Sequence, residues 1–253
     1  MLYLKDDVYI SITTKQSNMS VMNFNDINVN DLTFSEPKVN AMGGLSVYVS
    51  YGGEKVTVQV PKHKCPFGLS CQAYDGAPEK YEVSISLNGG TEKAEQWKKW
   101  VSGLDEKVKN EAVKNSKAWF KANKEKSAGV IEELYRPIVI ESKSEKQEYP
   151  PTQKFKIPFK DGKCYASFFN DKREAVDMDL MEKGCSVALI AELQGLWFVG
   201  KQFGVTWRVV QAKVYPVISL QAYAFKDEDD EVAGEVEEVE EVEEVEEVEE
   251  EDE

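Results

Sequence analysis

Two strand-length runs near the C-terminal end, residues 186–199 and 202–215, constrain this chain more than any other feature. They meet at Gly200-Lys201-Gln202, a hairpin tip. Successive side chains on a strand point to opposite faces. Phe203, Val205, Trp207 and Val209 therefore share one face, and Thr206 and Arg208 the other. A hairpin that long has to bury its apolar face against further elements.

Those elements are legible upstream. In residues 45–61, Val47, Val49 and Tyr51 alternate, and Val56, Val58 and Val60 repeat the pattern on the return. Gly52-Gly53 between them supplies the positive φ of a tight turn. Tyr48 then faces the other way, with Ser46 and Ser50. Tyr81, Val83, Ile85 and Leu87 alternate in a third strand, ended by Asn88-Gly89-Gly90. From Thr91 the period changes. Trp97, Trp100, Val101 and Leu104 fall at i, i+3, i+4 and i+7, one face of a helix. Val108, Ala112, Val113 and Trp119-Phe120 predict a second helix after Gly103-Leu104-Asp105, and residues 131–135 a further turn stopped before Pro137. Shorter strands are predicted at 138–140, 154–159 and 164–169.

This order predicts a mainly β chain with a helical insert at about 91–136. The expected architecture is an OB-fold-like antiparallel barrel over residues 37–226. A β-sandwich is the alternative that periodicity leaves open. The ligand loops of the barrel are expected at Gly52-Gly53-Glu54 and Gly200-Lys201-Gln202. Residues 1–36, polar and Asn-rich, read as an N-terminal arm or edge strands.

Charge divides the chain again. The 253 residues carry a formal charge of −15, but 19 acidic residues and no basic ones lie between Asp227 and Glu253. The body, residues 1–226, keeps 27 acidic and 31 basic residues, a net of +4. In the tail, Val236, Val239, Val242, Val245 and Val248 each precede two glutamates. A period of three makes no helical stripe, and the glutamates repel. The reading is a disordered acidic tail, residues 227–253.

Several functions are disfavoured. The chain holds no GxxxxGK[ST], GxGxxG or HExxH motif, and its one histidine is His63. Catalysis is not expected, and neither is a cofactor. A zinc site from His63, Cys65 and Cys71 would have spacings of no standard finger or ribbon, so no metal is expected and the cysteines read as reduced structural thiols. No run reaches the ~18 apolar residues of a membrane span. Acidic residues break the start of the chain where a signal peptide would be apolar, so an intracellular, non-membrane protein is expected.

A basic body joined to a polyanion points to nucleic acid. Single-strand binding needs cations for phosphates and exposed rings for bases. The candidates are Lys38, Tyr48, Lys55, Lys62, Lys64, Phe67, Lys154, Lys156, Phe168, Phe198, Lys201, Phe203 and Arg208, while Trp207 reads as core. Trp197 and Phe198 are neighbours on a strand and point oppositely; which of them is core stays open.

The segments SEPKVNAMGGLSVYVSY, KHKCPFGLS, VIEELYRPIVI and GLWFVGKQFGVTWRVVQAKV resemble a family of single-stranded DNA-binding proteins of nucleo-cytoplasmic large DNA viruses. That family is similar in plan to the podophage replication DNA-binding protein, an OB-fold with an acidic tail. The resemblance spans about residues 35–215 and implies sequence-tolerant binding of single-stranded DNA in viral replication, recombination and repair. It also implies a tail that competes with DNA and contacts partners such as polymerase or helicase. The implied location is the viral replication compartment in host cytoplasm or nucleus, or the virion. Podophage relatives are dimeric, which leaves a homodimer open. The podophage tail ends in an aromatic residue; this one ends Glu251-Asp252-Glu253. The alternative is a virion or chaperone-like interaction protein whose acidic tail holds basic proteins.

Overall fold

The computed structural model describes residues 20–40, 43–73, 78–88, 90–143 and 148–217. Residues 1–19 and the acidic tail lie outside them. Five strands carry the fold: β1 (Thr57–Lys64), β2 (Lys80–Ser86), β3 (Thr152–Ile157), β4 (Ser186–Val199) and β5 (Gln202–Tyr215). Three helices intervene between β2 and β3: α1 (Glu92–Lys114), α2 (Ser116–Trp119) and α3 (Ala128–Leu134).

The β4–β5 hairpin is paired from Ser186↔Tyr215 to Val199↔Gln202, as its alternation predicts. Two register shifts, at Ile190/Ala191 and at Leu193/Gly195, interrupt it. Bulges bend a ladder and sharpen its twist, so the hairpin can curl around a core. The outer edge of β4 takes β1 along its first half, from Ser186↔Lys64 to Glu192↔Thr57. Its second half takes the short strand Leu45–Val47. Between them lies Gly195, at φ +133°, where an added Cβ would sit 2.2 Å from the Val47 carbonyl oxygen. Only glycine permits that approach.

On its other edge β5 takes β3 in parallel, at Lys156↔Arg208. β3 pairs antiparallel with β2 from Thr152↔Ser86 to Ile157↔Tyr81. The sheet path is therefore 1-4-5-3-2, which rolled into a ring reads 1-2-3-5-4, the OB-fold order. The expected barrel is present, with one parallel join. Among the described residues no ladder closes β2 onto β1. The seam is bridged by His63, whose Nδ1 lies 2.9 Å from the Ser86 carbonyl oxygen.

Four local expectations change. Val49–Tyr51 pairs with Glu54–Lys55 and with Thr33–Phe34 in a separate three-stranded sheet, while Thr57–Lys64 enters the barrel. Gly52-Gly53 turns the chain as expected, but outside the barrel; the loop joining β1 to β2 is residues 65–79. The helical insert follows the second barrel strand. Its first helix runs unbroken through Gly103, because Trp97, Val101, Leu104, Val108 and Ala112 form one buried stripe. Of the strand predicted at 138–140, only a single bridge, Ile140↔Thr152, forms.

Residues 20–36 pack on α1. Asn23 and Asn28 each accept a backbone N–H at the start of a 3₁₀ turn. Phe24, Ile27 and Leu32 are buried, and the Trp100 indole N–H donates to the Ile27 carbonyl. The Trp97, Trp100, Phe155 and Trp207 rings meet between α1 and the barrel. The Trp97 indole N–H donates to buried Gln153 Oε1 at 2.9 Å.

A carbonyl only accepts, so the His63 proton must sit on Nδ1. Buried Nε2 then has no partner among the described residues. Burial lowers the His63 pKa from 6.5, opposed by the Ser86 bond and the field of Glu95. A depressed base binds more protons unfolded than folded, so its contribution to stability is full above about pH 6.5 and is lost as pH falls. The urea midpoint of the wild type should drop from pH 7 towards pH 5. His63→Gln, the chain having no other histidine, should show less of that slope.

Candidate nucleic-acid interface

Along β3 the side chains alternate strictly. Gln153, Phe155 and Ile157 are buried, while Lys154 and Lys156 are exposed. The outward pair faces the same side as Thr206 and Arg208 of β5, because Lys156 and Arg208 are register partners. Glu192 of β4 is the cross-strand partner of Arg208, and Glu82 of β2 that of Lys156. The outer face of four strands is thus a polar, mainly cationic surface laid over an apolar core.

Two adjoining cavities, of about 620 and 270 Å³, run across this face and share Lys156, Trp197 and Thr206. Together they form one groove. Its first half is walled by Tyr48, Gly53 and Lys55 of the small sheet, and its second by Arg136 and Ile138. Five cations line it: Lys55, Arg136, Lys154, Lys156 and Arg208. The carboxylates are two, Glu82 and Glu192.

Both carboxylates are taken. Glu192, almost buried, pairs with Arg208 and lies 3.7 Å from Lys55. Glu82 is 2.8 Å from Lys154. Among the described residues no carboxylate pairs with Lys156 or Arg136. Desolvation lowers the Lys156 pKa, and the like charges of Lys80 and Lys154 add to this against Glu82. An anion entering the groove would relieve that field.

Two rings accompany the charge. Tyr48, 48% exposed, stands at the break between Leu45–Val47 and Val49–Tyr51. Its N–H donates to Ser35 Oγ at 3.0 Å, which holds the backbone in place. Trp197 lies across Gly204, its register partner, where a Cβ would come within 2.8 Å of the indole. The indole therefore occupies the space a side chain at 204 would fill.

The groove gathers Tyr48, Lys55, Lys154, Lys156 and Arg208 of the predicted residues. Lys38 sits on the edge strand Lys38–Val39, paired with groove residue Ser46. Lys201 is at the tip of the β4–β5 hairpin. Lys62 and Lys64 lie on β1, away from the groove, and Phe67 is exposed on the following loop. Three predicted rings face inward. Phe203 and Phe168 are buried, and half-buried Phe198 packs against Trp119, Phe120 and Phe203. Those rings are not available for stacking; of the adjacent pair, Trp197 takes the groove side. The hairpin register set by the two-residue tip, which pairs Trp197 with a glycine, is the signal in the sequence that points to it. Arg136 has no such signal, since nothing local marks it. Of the three residues weighed as zinc ligands, His63 meets the Ser86 carbonyl, Cys65 is buried and Cys71 is exposed.

The outer face of an OB-barrel crossed by a cationic, ring-bearing groove defines the class of site. Residues 92–228, more than half the chain, match the family described as "Family of unknown function (DUF5871)", and the chain belongs to that family. No curated protein matches the chain. Among solved structures it is similar to gp2.5, a single-stranded DNA binding protein encoded by bacteriophage T7. That alignment has 14% identity and a TM-score of 0.40, covering 75% of this chain and 100% of that one. It is also similar to the single-stranded DNA-binding protein from bacteriophage Enc34. The complex with ssDNA aligns at 11% identity and TM-score 0.40, over 75% of this chain and 98% of that one. A C-terminal truncation aligns at 12% identity and TM-score 0.41, over 77% and 100%. The barrel order stands on the strand registers, independently of these superpositions.

Arg136 owes its place to a buried carboxylate. Asp105 of α1 accepts from the Tyr135 hydroxyl at 2.5 Å, Ile138 N at 2.9 Å and Val139 N at 3.2 Å. Burial raises its pKa, against the pull of those three donors. Asp105→Ala should destabilise the fold by about 1–3 kcal/mol for each buried donor left unpaired, read as a lower urea midpoint. Asp105→Asn, which keeps an acceptor oxygen, should lose less.

Proposed function

We propose that this protein binds single-stranded DNA through the groove, without catalysis and with little regard to sequence. The observation that carries the reading is the pair of cations with no carboxylate partner among the described residues, Lys156 and Arg136, set beside Trp197 and Tyr48. Phosphates would neutralise Lys156 and Arg136 and compete for Lys55, Lys154 and Arg208. The rings offer sequence-tolerant stacking platforms. The charge of Lys154, Lys156 and Arg208 belongs to side chains that point outward by strand alternation, opposite the apolar core.

The wider role follows the viral resemblance: protection of single strands in replication, recombination and repair, in the replication compartment of a large DNA virus. The acidic tail, residues 227–253, competes with DNA for the groove when DNA is absent and offers its charge to replication partners when displaced. A polymerase or helicase is the partner class, and a homodimer the assembly to look for.

Oligonucleotide titration at several salt concentrations tests the groove. If all five cations meet phosphates, log affinity should fall against log salt with a slope of about −3.5, at about −0.7 per phosphate. Lys156→Gln should reduce that slope by about 0.7. Trp197→Ala should cost about 1–3 kcal/mol, the contribution of one stacked base. A body lacking residues 227–253 that fails to bind single strands at low salt would overturn the proposal.

Tail competition has its own readout. Removing residues 227–253 should tighten binding, most at low salt where the internal competitor is strongest. Weaker binding by the truncated protein would reject that role.

A further inference from the structure

A second basic patch lies on the same outer face of the β4–β5 hairpin, towards its open end. Ile190↔Gln211 and Ala188↔Lys213 are the outward rungs following Glu192↔Arg208, across the bulge. The strand Ser167–Phe169 lies parallel to this end of β5, with Phe169 beside Lys213. A cavity of about 390 Å³ opens here, lined by Gln59, Phe169, Arg173, Gln211, Lys213 and Tyr215.

Its chemistry repeats that of the groove. Arg173, Lys213 and neighbouring Lys62 have no carboxylate partner among the described residues. Lys62 Nζ instead lies 3.8 Å from the centroid of the Tyr215 ring, and Lys213 Nζ 5.3 Å. Two ammonium groups thus share one tyrosine ring, and Arg173 lines the same cavity. Arg173 adds a backbone observation. It occupies the left-handed region, φ +69°, in the turn joining Ser167–Phe169 to Ala175–Val176. That conformation is unfavourable for a side chain of this kind, yet the turn presents an arginine to the cavity.

We propose that this patch is a second contact zone for the same single strand, so that the bound chain runs lengthwise along the β4–β5 hairpin. The inference rests on the groove reading and extends it. Arg173, Lys213 and Lys62 take phosphates, and Tyr215 and Phe169 offer ring surface. From Arg208 to Lys213 the separation along the strand is about 16 Å at about 3.3 Å per residue. A strand leaving the groove therefore meets the second zone only when it is long enough.

The test is a length series of oligothymidylates, from about 4 to about 16 nucleotides, the range of OB-fold site sizes. It uses the full chain, the double variant Arg173→Asn/Lys213→Gln, and separately Tyr215→Leu. Asparagine tolerates the left-handed region, so the turn survives. The double variant should bind the shortest oligomers as the wild type does. On the longest it should lose affinity about tenfold or more, and its salt slope should shrink by about 1.4, two cations at about 0.7 each. Tyr215→Leu should lose affinity on long oligomers with the slope unchanged. Wild-type affinity and slope for the double variant at every length would overturn the second zone while leaving the groove intact. An equal loss on short and long oligomers would also overturn it, by making the patch part of the first site. Absence of binding by the wild type at any length would overturn the groove reading itself, and this inference with it.

Discussion

The rest of the structure depends on the close approach of two backbones at Gly195. There the β4–β5 hairpin bends at a bulge, and the Val47–Tyr48 segment presses against the bend at a distance that excludes a Cβ. Because β4 turns at this point, its single outer edge seats two partners, β1 before the bend and Leu45–Val47 after it. The first partner, β1, reaches the seam that His63 bridges to β2. The second brings the small sheet alongside and raises the wall that carries Tyr48 and Lys55. A Cβ at 195 would have no room against the Val47 carbonyl, so the wall and the bend can meet only at a glycine.

The same hairpin organises the charge. Its inner face holds Trp207 and Val209 against the helix-borne indoles of Trp97 and Trp100. Its outer face holds the Glu192–Arg208 pair. Glu192 is nearly buried yet bonded to Arg208, so it anchors the arginine and tempers the positive field without cancelling it. The excess falls on Lys156 and Arg136, which reach the groove from different elements. Arg136 is fixed by Asp105, a carboxylate on α1 that never touches the groove. The helical insert is therefore a support for the site as well as a cover for the core.

Strand alternation makes much of this legible in the sequence. It bounds the two halves of the β4–β5 hairpin to the residue, and the outward positions of Lys154, Lys156 and Arg208 follow from period two. Alternation fails where a ring has two apolar environments to choose between. Phe198, Phe168 and Phe203 carry the residue type a base would stack on, but the helical insert supplies Trp119 and Phe120 to cover two of them. Trp197, its neighbour on the strand, points the other way, and Gly204 opposite leaves room for its indole. The unbroken α1 shows the reverse error: a glycine read as a break is outweighed by a continuous buried stripe on either side of it.

By itself the sequence determined the periods, and with them the element types, the face of each strand and the division into a +4 body and a −19 tail. These are local or additive properties, set by neighbours along the chain and by charge counts. Only the tertiary structure decided that β3 lies parallel to β5, that Val49–Tyr51 leaves the barrel for a second sheet, and which of two adjacent rings lines the groove. Each of those choices depends on what another, distant segment places opposite, whether a carbonyl, a glycine or an indole. No window of sequence contains that information.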